Sequence, residues 1–175
     1  DDSGTTHLST SDSRGGVVAL TMTINTPFGS GITVPGTGIV LNNEMDDFSS
    51  APGVPNAFGL IGHEANAIVP AKRPLSSMTP TILFRDGQPW MVIGSPGGPR
   101  IITTVLQTVL NVVDYGMNIE EAVAAPRFHH QWVPDVLSVE PSIALDVVEA
   151  LRRRGHNAQT GRREWSAAEA IVIDP

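Results

Sequence analysis

An α+β fold, with a mainly antiparallel sheet and helices gathered over it, is what this 175-residue chain predicts. Three observations carry the prediction. Apolar runs with strand-like alternation stand at the start, middle and end of the chain. The turn dipeptide Asp86-Gly87 joins two of them. Apolar residues return at helical spacing at Ile101, Val105, Val109 and Val112. The resulting order is two strands, long loops, three strands, three helices and a closing strand.

The first two strands lie within Thr5 to Asn25, turning at Asp12-Ser13-Arg14-Gly15-Gly16 with Gly15 suited to the left-handed position. If Asp12 faces Gly16, paired residue numbers sum to 28 and Thr5 falls opposite Thr23. Two hydroxyls then become neighbours at the open end of the hairpin. The second strand sends Val17, Ala19, Thr21 and Thr23 to one face and Val18, Leu20, Met22 and Ile24 to the other. Both faces are largely apolar, which predicts a central strand covered on both sides.

After a Gly/Pro/Thr loop, GIVLNN reads as a short strand running into the acidic EMDDF. SSAPGVPNAFGL is a second long loop, and since loops of that length in compact domains are usually functional or disordered, it is taken as a lid candidate. TPTILFRDGQPWMVIGS reads as a hairpin. The helix that follows has Pro99 in its first turn and Gly116 at its exit, so Gly97 and Gly98 lie at its N-terminus. Asn118 and Glu121 form a capping-box start for a short helix ending before Pro126. A third helix spans roughly 142–154, with arginines in its last turn and Gly155 beyond, and EAIVID closes the chain as a strand.

Composition narrows the chemistry. There is no cysteine, which removes disulfides, zinc-thiolate sites and a cysteine nucleophile. A net charge of −7 is the wrong sign for a protein that wraps nucleic acid. No apolar run approaches the ~20 residues of a membrane span. Residues 1–175 read as a single domain, with 41% apolar residues to build its core and abundant Gly and Pro, 17 and 14, to shape loops.

Five groups can carry chemistry. Thr5 beside Thr23 is an ordinary strand threonine unless a base adjoins it, and an N-terminal threonine supplies that base from its own α-amine. Gly97 and Gly98 can present bare backbone N–H groups to an oxyanion or a phosphate. Ser76 and Ser77 match no nucleophile elbow and read as hydrogen-bond donors. Glu44, Asp46 and Asp47 can hold a metal or an ammonium group, or simply form a solvated loop, and their spacing is not that of an EF-hand. His7, His129 and His130 lack a second ligand pair at metal-site spacing and read as structural, so no metal or cofactor is expected.

Taken together, TTHLS, TMTINT, FGSGI, LNNEMDDFS, PGVPNAFGL, KRPLSSMTPTI, GSPGGPRIITTVLQ and APRFHHQW, in this order over residues 5–141, resemble the small subunit of gamma-glutamyltranspeptidase. The resemblance implies an N-terminal-nucleophile hydrolase-like αββα sandwich of which this chain supplies part. It implies self-cleavage before Thr5, with Asp1–Gly4 a residual precursor or linker segment, and Thr23 contacting the nucleophile. Asn25, Glu44 and Asp47 match residues that hold a substrate α-amino group, Ser76 and Ser77 residues that bind its α-carboxylate, and Gly97 and Gly98 the oxyanion hole. The implied reaction is attack on a γ-glutamyl amide such as glutathione's, through a threonyl ester, with transfer to water or to an amino-acid or peptide amine.

The implied partner is a large subunit from the same precursor, in a heterodimer, contributing an arginine to the substrate carboxylate; the implied location is periplasmic or secreted. Alone, the chain is expected to expose an apolar sheet face. The sequence departs from the resemblance at Phe58, where a tyrosine is common, at REWSAAEAI, where a glycine-serine/threonine segment is common, and in stopping at IVIDP before the family's last strands. Alternatives are a cephalosporin acylase-like or poly-γ-glutamate capsule-processing relative, or an unprocessed non-catalytic assembly partner.

Overall fold

A computed structural model describes residues 4–165 and 167–174; Asp1–Ser3, most of the expected precursor segment, lie outside the described residues, as do Ser166 and Pro175. The fold is α+β. Strands β1 (Thr5–Ser11) and β2 (Val17–Thr23) form an antiparallel hairpin. Its register pairs Thr5 with Thr23, as the turn predicts: the Asp12 N–H donates to Gly16 O at 2.9 Å and Gly15 has a φ of 83°.

The expected strand GIVLNN does not form. Only Val40 bridges, to Thr33, and the segment stays a loop leading into a single 3-10 turn, Glu44–Asp47. The Asp86-Gly87 hairpin forms as β3 (Thr81–Arg85) and β4 (Gln88–Gly94), with a register shift between Leu83 and Phe84. Helix α1 (Arg100–Val113) and helix α2 (Ile119–Ala124) follow, the latter with the full Asn118/Glu121 capping box, worth about 1 kcal/mol.

The next stretch departs from expectation. Two short strands, β5 (Phe128–His129) and β6 (Leu137–Val139), precede helix α3 (Leu145–Arg153), which starts about a turn later than predicted, and β7 (Ala158–Thr160) follows it. β6 and β7 pair in parallel around α3 as a small βαβ unit, while the other pairings between named strands are antiparallel, as expected of a mainly antiparallel fold. β8 (Glu169–Val172) then pairs with β4, giving the order β3-β4-β8.

The layers follow from how β4 alternates. Met91 and Ile93 pack under Ile101 and Val105 of α1, each such side chain worth about 1.5–3 kcal/mol when fully buried. The opposite face of β4, with Val92 and Gly94, meets the β1–β2 hairpin. The His7 ring lies so tightly on Gly94 that an added methyl there would overlap it, and the Ser9 hydroxyl donates to Glu169 O at 3.1 Å. Among the described residues the chain thus builds hairpin, sheet and helix, three of the four layers of an αββα sandwich. The expectation that β2 is covered on both sides is corrected: its outer face, Val18, Leu20 and Met22, is exposed together with Leu8.

Candidate functional site

The open end of the β1–β2 hairpin brings its two threonines together. Thr5 Oγ1 and Thr23 Oγ1 share a hydrogen bond of 2.9 Å. The Asn25 N–H donates to Thr23 Oγ1 at 2.8 Å, and the Thr23 hydroxyl donates to Gly4 O at 3.1 Å. Because that hydroxyl has one proton, the Thr5 hydroxyl must donate to Thr23 when Thr23 donates to Gly4. Gly4 O also accepts the Ile24 N–H at 2.9 Å. The carbonyl just before Thr5 is therefore polarised by two donors beside the Thr5 hydroxyl. A side chain at Gly4 would come within 2.7 Å of the Asn25 and Thr26 carbonyls, so this approach requires glycine.

A narrow pocket of about 20 Å³ gathers the predicted residues: Thr5, Thr23, Asn25, Glu44, Asp47, Ser76, Ser77 and Gly98 all line it. Gly97 lies one residue away and lines a separate cleft. The 3-10 turn explains the acidic end, since with three residues per turn Glu44 and Asp47 fall on one side. Asp46 points elsewhere, its carboxylate accepting the Ala57 N–H at 3.0 Å and tying down the long loop. Burial, then the hydrogen bond and charge of Asp47, push Glu44 up to about 7. Asp47 is also raised, chiefly by burial. Two half-buried carboxyls that share a proton in this way ionise fully as pH rises past about 7, or at lower pH when a cation enters between them. One buried oxygen, Glu44 Oε2, has no hydrogen-bond partner.

At the other end, Gly97 and Gly98 have φ of 141° and 55°, and neither N–H has a partner among the described residues. These are spare donors at the start of a 14-residue helix. Phe58 of the lid candidate stacks at Gly98, where a Cβ would meet its ring at 3.0 Å. Gln131, which the sequence reading did not single out, holds that loop: its amide donates to Phe58 O at 3.2 Å while its carbonyl bonds the His129 ring at 3.0 Å. The signal was present in FHHQW, but the contact spans 73 residues.

The three histidines are occupied in structure. His7 bonds Thr21 and Ser9, His129 bonds Thr103 and Gln131, and His130 bonds Asp135. Burial lowers the pKa of both His7 and His129. Among the described residues no group of three or more His, Asp or Glu is placed to hold a metal ion. No helix among them is long and apolar enough to cross a membrane.

A threonine at a strand end, in a hairpin stacked on a second sheet, belongs to the N-terminal-nucleophile hydrolase fold, and solved structures of that class superpose on this chain. A mutant of gamma-glutamyltranspeptidase from Helicobacter pylori matches with a TM-score of 0.94 and 51% identity, covering 97% of this chain and 91% of that one. A cephalosporin acylase from Bacillus halodurans matches with a TM-score of 0.84 and 32% identity, over 97% of this chain and 30% of that one. In sequence, the glutathione hydrolase proenzyme of Escherichia coli is 53% identical over 171 residues, 98% of this chain and 29% of the relative. The sequence profile of Gamma-glutamyltranspeptidase matches residues 1–175. The chain belongs to the gamma-glutamyltranspeptidase family. It spans about three-tenths of the length of the curated relatives it matches.

Proposed function

We propose that residues 1–175 are the nucleophile-bearing domain of a self-processing γ-glutamyl hydrolase and transferase that acts on glutathione and related γ-glutamyl amides. The observation that carries the reading is the chain of hydrogen bonds from Thr5 through Thr23 to Gly4 O, at 2.9 and 3.1 Å, in a pocket whose far end is acidic.

The first reaction is on the chain itself. Thr5 Oγ1 attacks the Gly4 carbonyl carbon while Thr23 takes up its proton, and the Ile24 N–H and Thr23 hydroxyl hold the developing oxyanion. The Gly4–Thr5 C–N bond breaks, its nitrogen gains a proton, and water hydrolyses the resulting ester. Thr5 is left with a free α-amine, the base it lacked.

In the second reaction that amine takes the Thr5 hydroxyl proton as the oxygen attacks a γ-glutamyl carbonyl. The Gly97 and Gly98 N–H groups serve the oxyanion, Glu44 and Asp47 pair with the α-ammonium, Asn25 adds an amide contact, and Ser76 and Ser77 donate to the α-carboxylate. The leaving amine collects the proton; water or another amine then releases the acyl group. A pocket of about 20 Å³ has room for little more than a water molecule, so Phe58 and its loop must move before an acyl group enters. The exposed face of Leu8, Val18, Leu20 and Met22 is the seat for a large subunit from the same precursor. A periplasmic or secreted location goes with this reading. The acidic pair favours an amino-acid head group over the glutaryl group of a cephalosporin acylase-like reaction.

The test is the complete proenzyme, followed by intact mass, N-terminal sequencing and γ-glutamyl-p-nitroanilide turnover. A new N-terminus at Thr5 with p-nitroaniline release is expected, and Thr5→Ala is expected to abolish both. Cleavage without release would move the substrate to another acyl group; no cleavage would favour an unprocessed, non-catalytic assembly partner.

A further inference from the structure

The pocket at Thr5 has to open before an acyl group enters, and the loop over it is built to move as one piece. In the tip of that loop Pro55 bridges Ile61, and the Asn56 N–H donates to Leu60 O and the Gly59 N–H to Asn56 O, both at 2.9 Å. The Asn56 side-chain oxygen accepts the Phe58 and Leu60 N–H groups, each at 3.0 Å. A turn that satisfies its own backbone in this way keeps its shape when its outer contacts let go. Phe58 rides on it, lining the pocket with Thr5 and standing against Gly98.

Among the described residues two side chains reach the tip by hydrogen bonds from outside the loop, and they grip adjacent residues. The Asp46 carboxylate accepts the Ala57 N–H, its oxygens at 3.0 and 3.4 Å, from the same 3-10 turn that presents Glu44 and Asp47 to the pocket. Gln131 donates one amide proton to Phe58 O and the other to Val133 O, both at 3.2 Å. With both protons spent, the Gln131 oxygen faces His129, whose Nε2–H donates to it at 3.0 Å. His129 Nδ1 lies 2.9 Å from the Thr103 hydroxyl of α1 and, in the neutral ring that burial favours, accepts from it. The two ties thus run to opposite ends of the site, the acidic turn and the helix that follows Gly97 and Gly98.

Both ties can open without stranding a polar group. Ala57 is exposed and Phe58 half-buried, so water can take over their N–H and C=O, and Gln131 keeps Val133 and His129 when Phe58 leaves. A hydrogen bond of this kind shifts an equilibrium by about two- to tenfold. We propose that Asp46 and Gln131 are positioning residues for the reaction: they clasp the tip at Ala57 N–H and Phe58 O, and so set how much of the time Phe58 covers Thr5 and the Gly98 N–H. This rests on the γ-glutamyl reading above and adds what governs entry to that site. Neither residue touches the reacting atoms.

The test uses the processed enzyme with its own large subunit. Chymotrypsin cuts after Phe58 and Leu60 as the tip comes free, so nicking there, mapped by intact mass, reads the clasp without any substrate. Gln131→Met keeps the length and loses both donors, and nicking is expected to rise about fivefold. Asp46→Ala is expected to do the same, and Asp46→Asn, which keeps an acceptor oxygen for Ala57, to stay within about twofold of wild type. Equal nicking of Asp46→Ala and Asp46→Asn would assign the effect to charge and overturn the clasp, as would unchanged nicking in Gln131→Met. With γ-glutamyl-p-nitroanilide as donor, Gln131→Met should lower KM and kcat together, each about threefold, because the open form is populated before binding and the covered form is lost after it. A fall in kcat alone, the mark of a smaller active fraction, overturns the positioning role. Should Gln131→Met fail to mature, the Asp46 pair decides by nicking. Absence of p-nitroaniline release by mature wild type overturns the γ-glutamyl reading and leaves the clasp to stand or fall by nicking.

Discussion

Strands β2 and β4 have the same sequence character and opposite surroundings. Both carry apolar residues on both faces. Met91, Val92 and Ile93 in β4 are 0% exposed, while Val18, Leu20 and Met22 in β2 are 51%, 41% and 55% exposed. β4 has a strand on each side, α1 over one face and the hairpin over the other. Among the described residues β2 has only β1 beside it and only β4 and its neighbours beneath it. A two-faced apolar strand needs cover on both faces; the described chain supplies one, and the proposed large subunit would supply the other. Thr5, the proposed nucleophile, stands on this half-covered hairpin, so in that reading completing the sandwich and completing the site are linked.

The sharpest way to break the comparison is a charge on each strand. In the complete proenzyme Val92→Asp buries an unpaired carboxylate and should yield no soluble folded protein, a cost of several kcal/mol. Leu20→Asp lies on the uncovered face and should leave a soluble precursor that no longer gives a tight heterodimer in native mass spectrometry. Equal damage from the two would mean that β2 is already as enclosed as β4.

The seam between the strands comes next. Gly94→Ala forces a methyl into the His7 ring and should cost about 1–3 kcal/mol in thermal unfolding. His7→Ala in the same background should recover part of it, because the two changes share one contact. Additive losses would show that the hairpin does not rest on β4 through this pair.

The smallest effect concerns the acidic end of the pocket. Glu44 is raised from 4.5 to about 7 by burial and by Asp47, so the folded state favours its protonated form. That contribution is fully present below about pH 4.5 and is lost as pH rises through about 7. His7 and His129, lowered by burial, act in the opposite direction, with stability lost as pH falls through their usual value of 6.5. The informative quantity is therefore the Tm difference between Glu44→Gln and wild type, which should grow from about pH 5 to about pH 8 without substrate. The donor KM of wild type should rise as pH falls below about 7, as the carboxylate proposed to pair with the substrate ammonium is lost. A constant Tm difference would mean that the pair does not share a proton.

Much of this was legible because it is local. The Thr5–Thr23 pairing followed from a turn at Gly15, the β3–β4 hairpin from Asp86-Gly87, the second helix from one capping box. The short sheet was not legible: β5 has two residues and β6 and β7 three each, too few to show a period, and β6 meets β7 only across α3. GIVLNN had the right pattern for a strand and found no strand to pair with beyond Thr33. Within the acidic cluster, sequence named three carboxylates; the 3-10 turn separated the pair at the pocket from Asp46 on the loop.

By itself the sequence determined the Thr5–Thr23 pairing, the family and the alternation of the main strands, because each is written in adjacent residues or in one turn's register. Only the tertiary structure decided that Phe58 closes the pocket under Gln131 and that one face of β2 waits for cover. Those contacts join residues far apart in the chain, and no local pattern encodes which distant surfaces will share a wall.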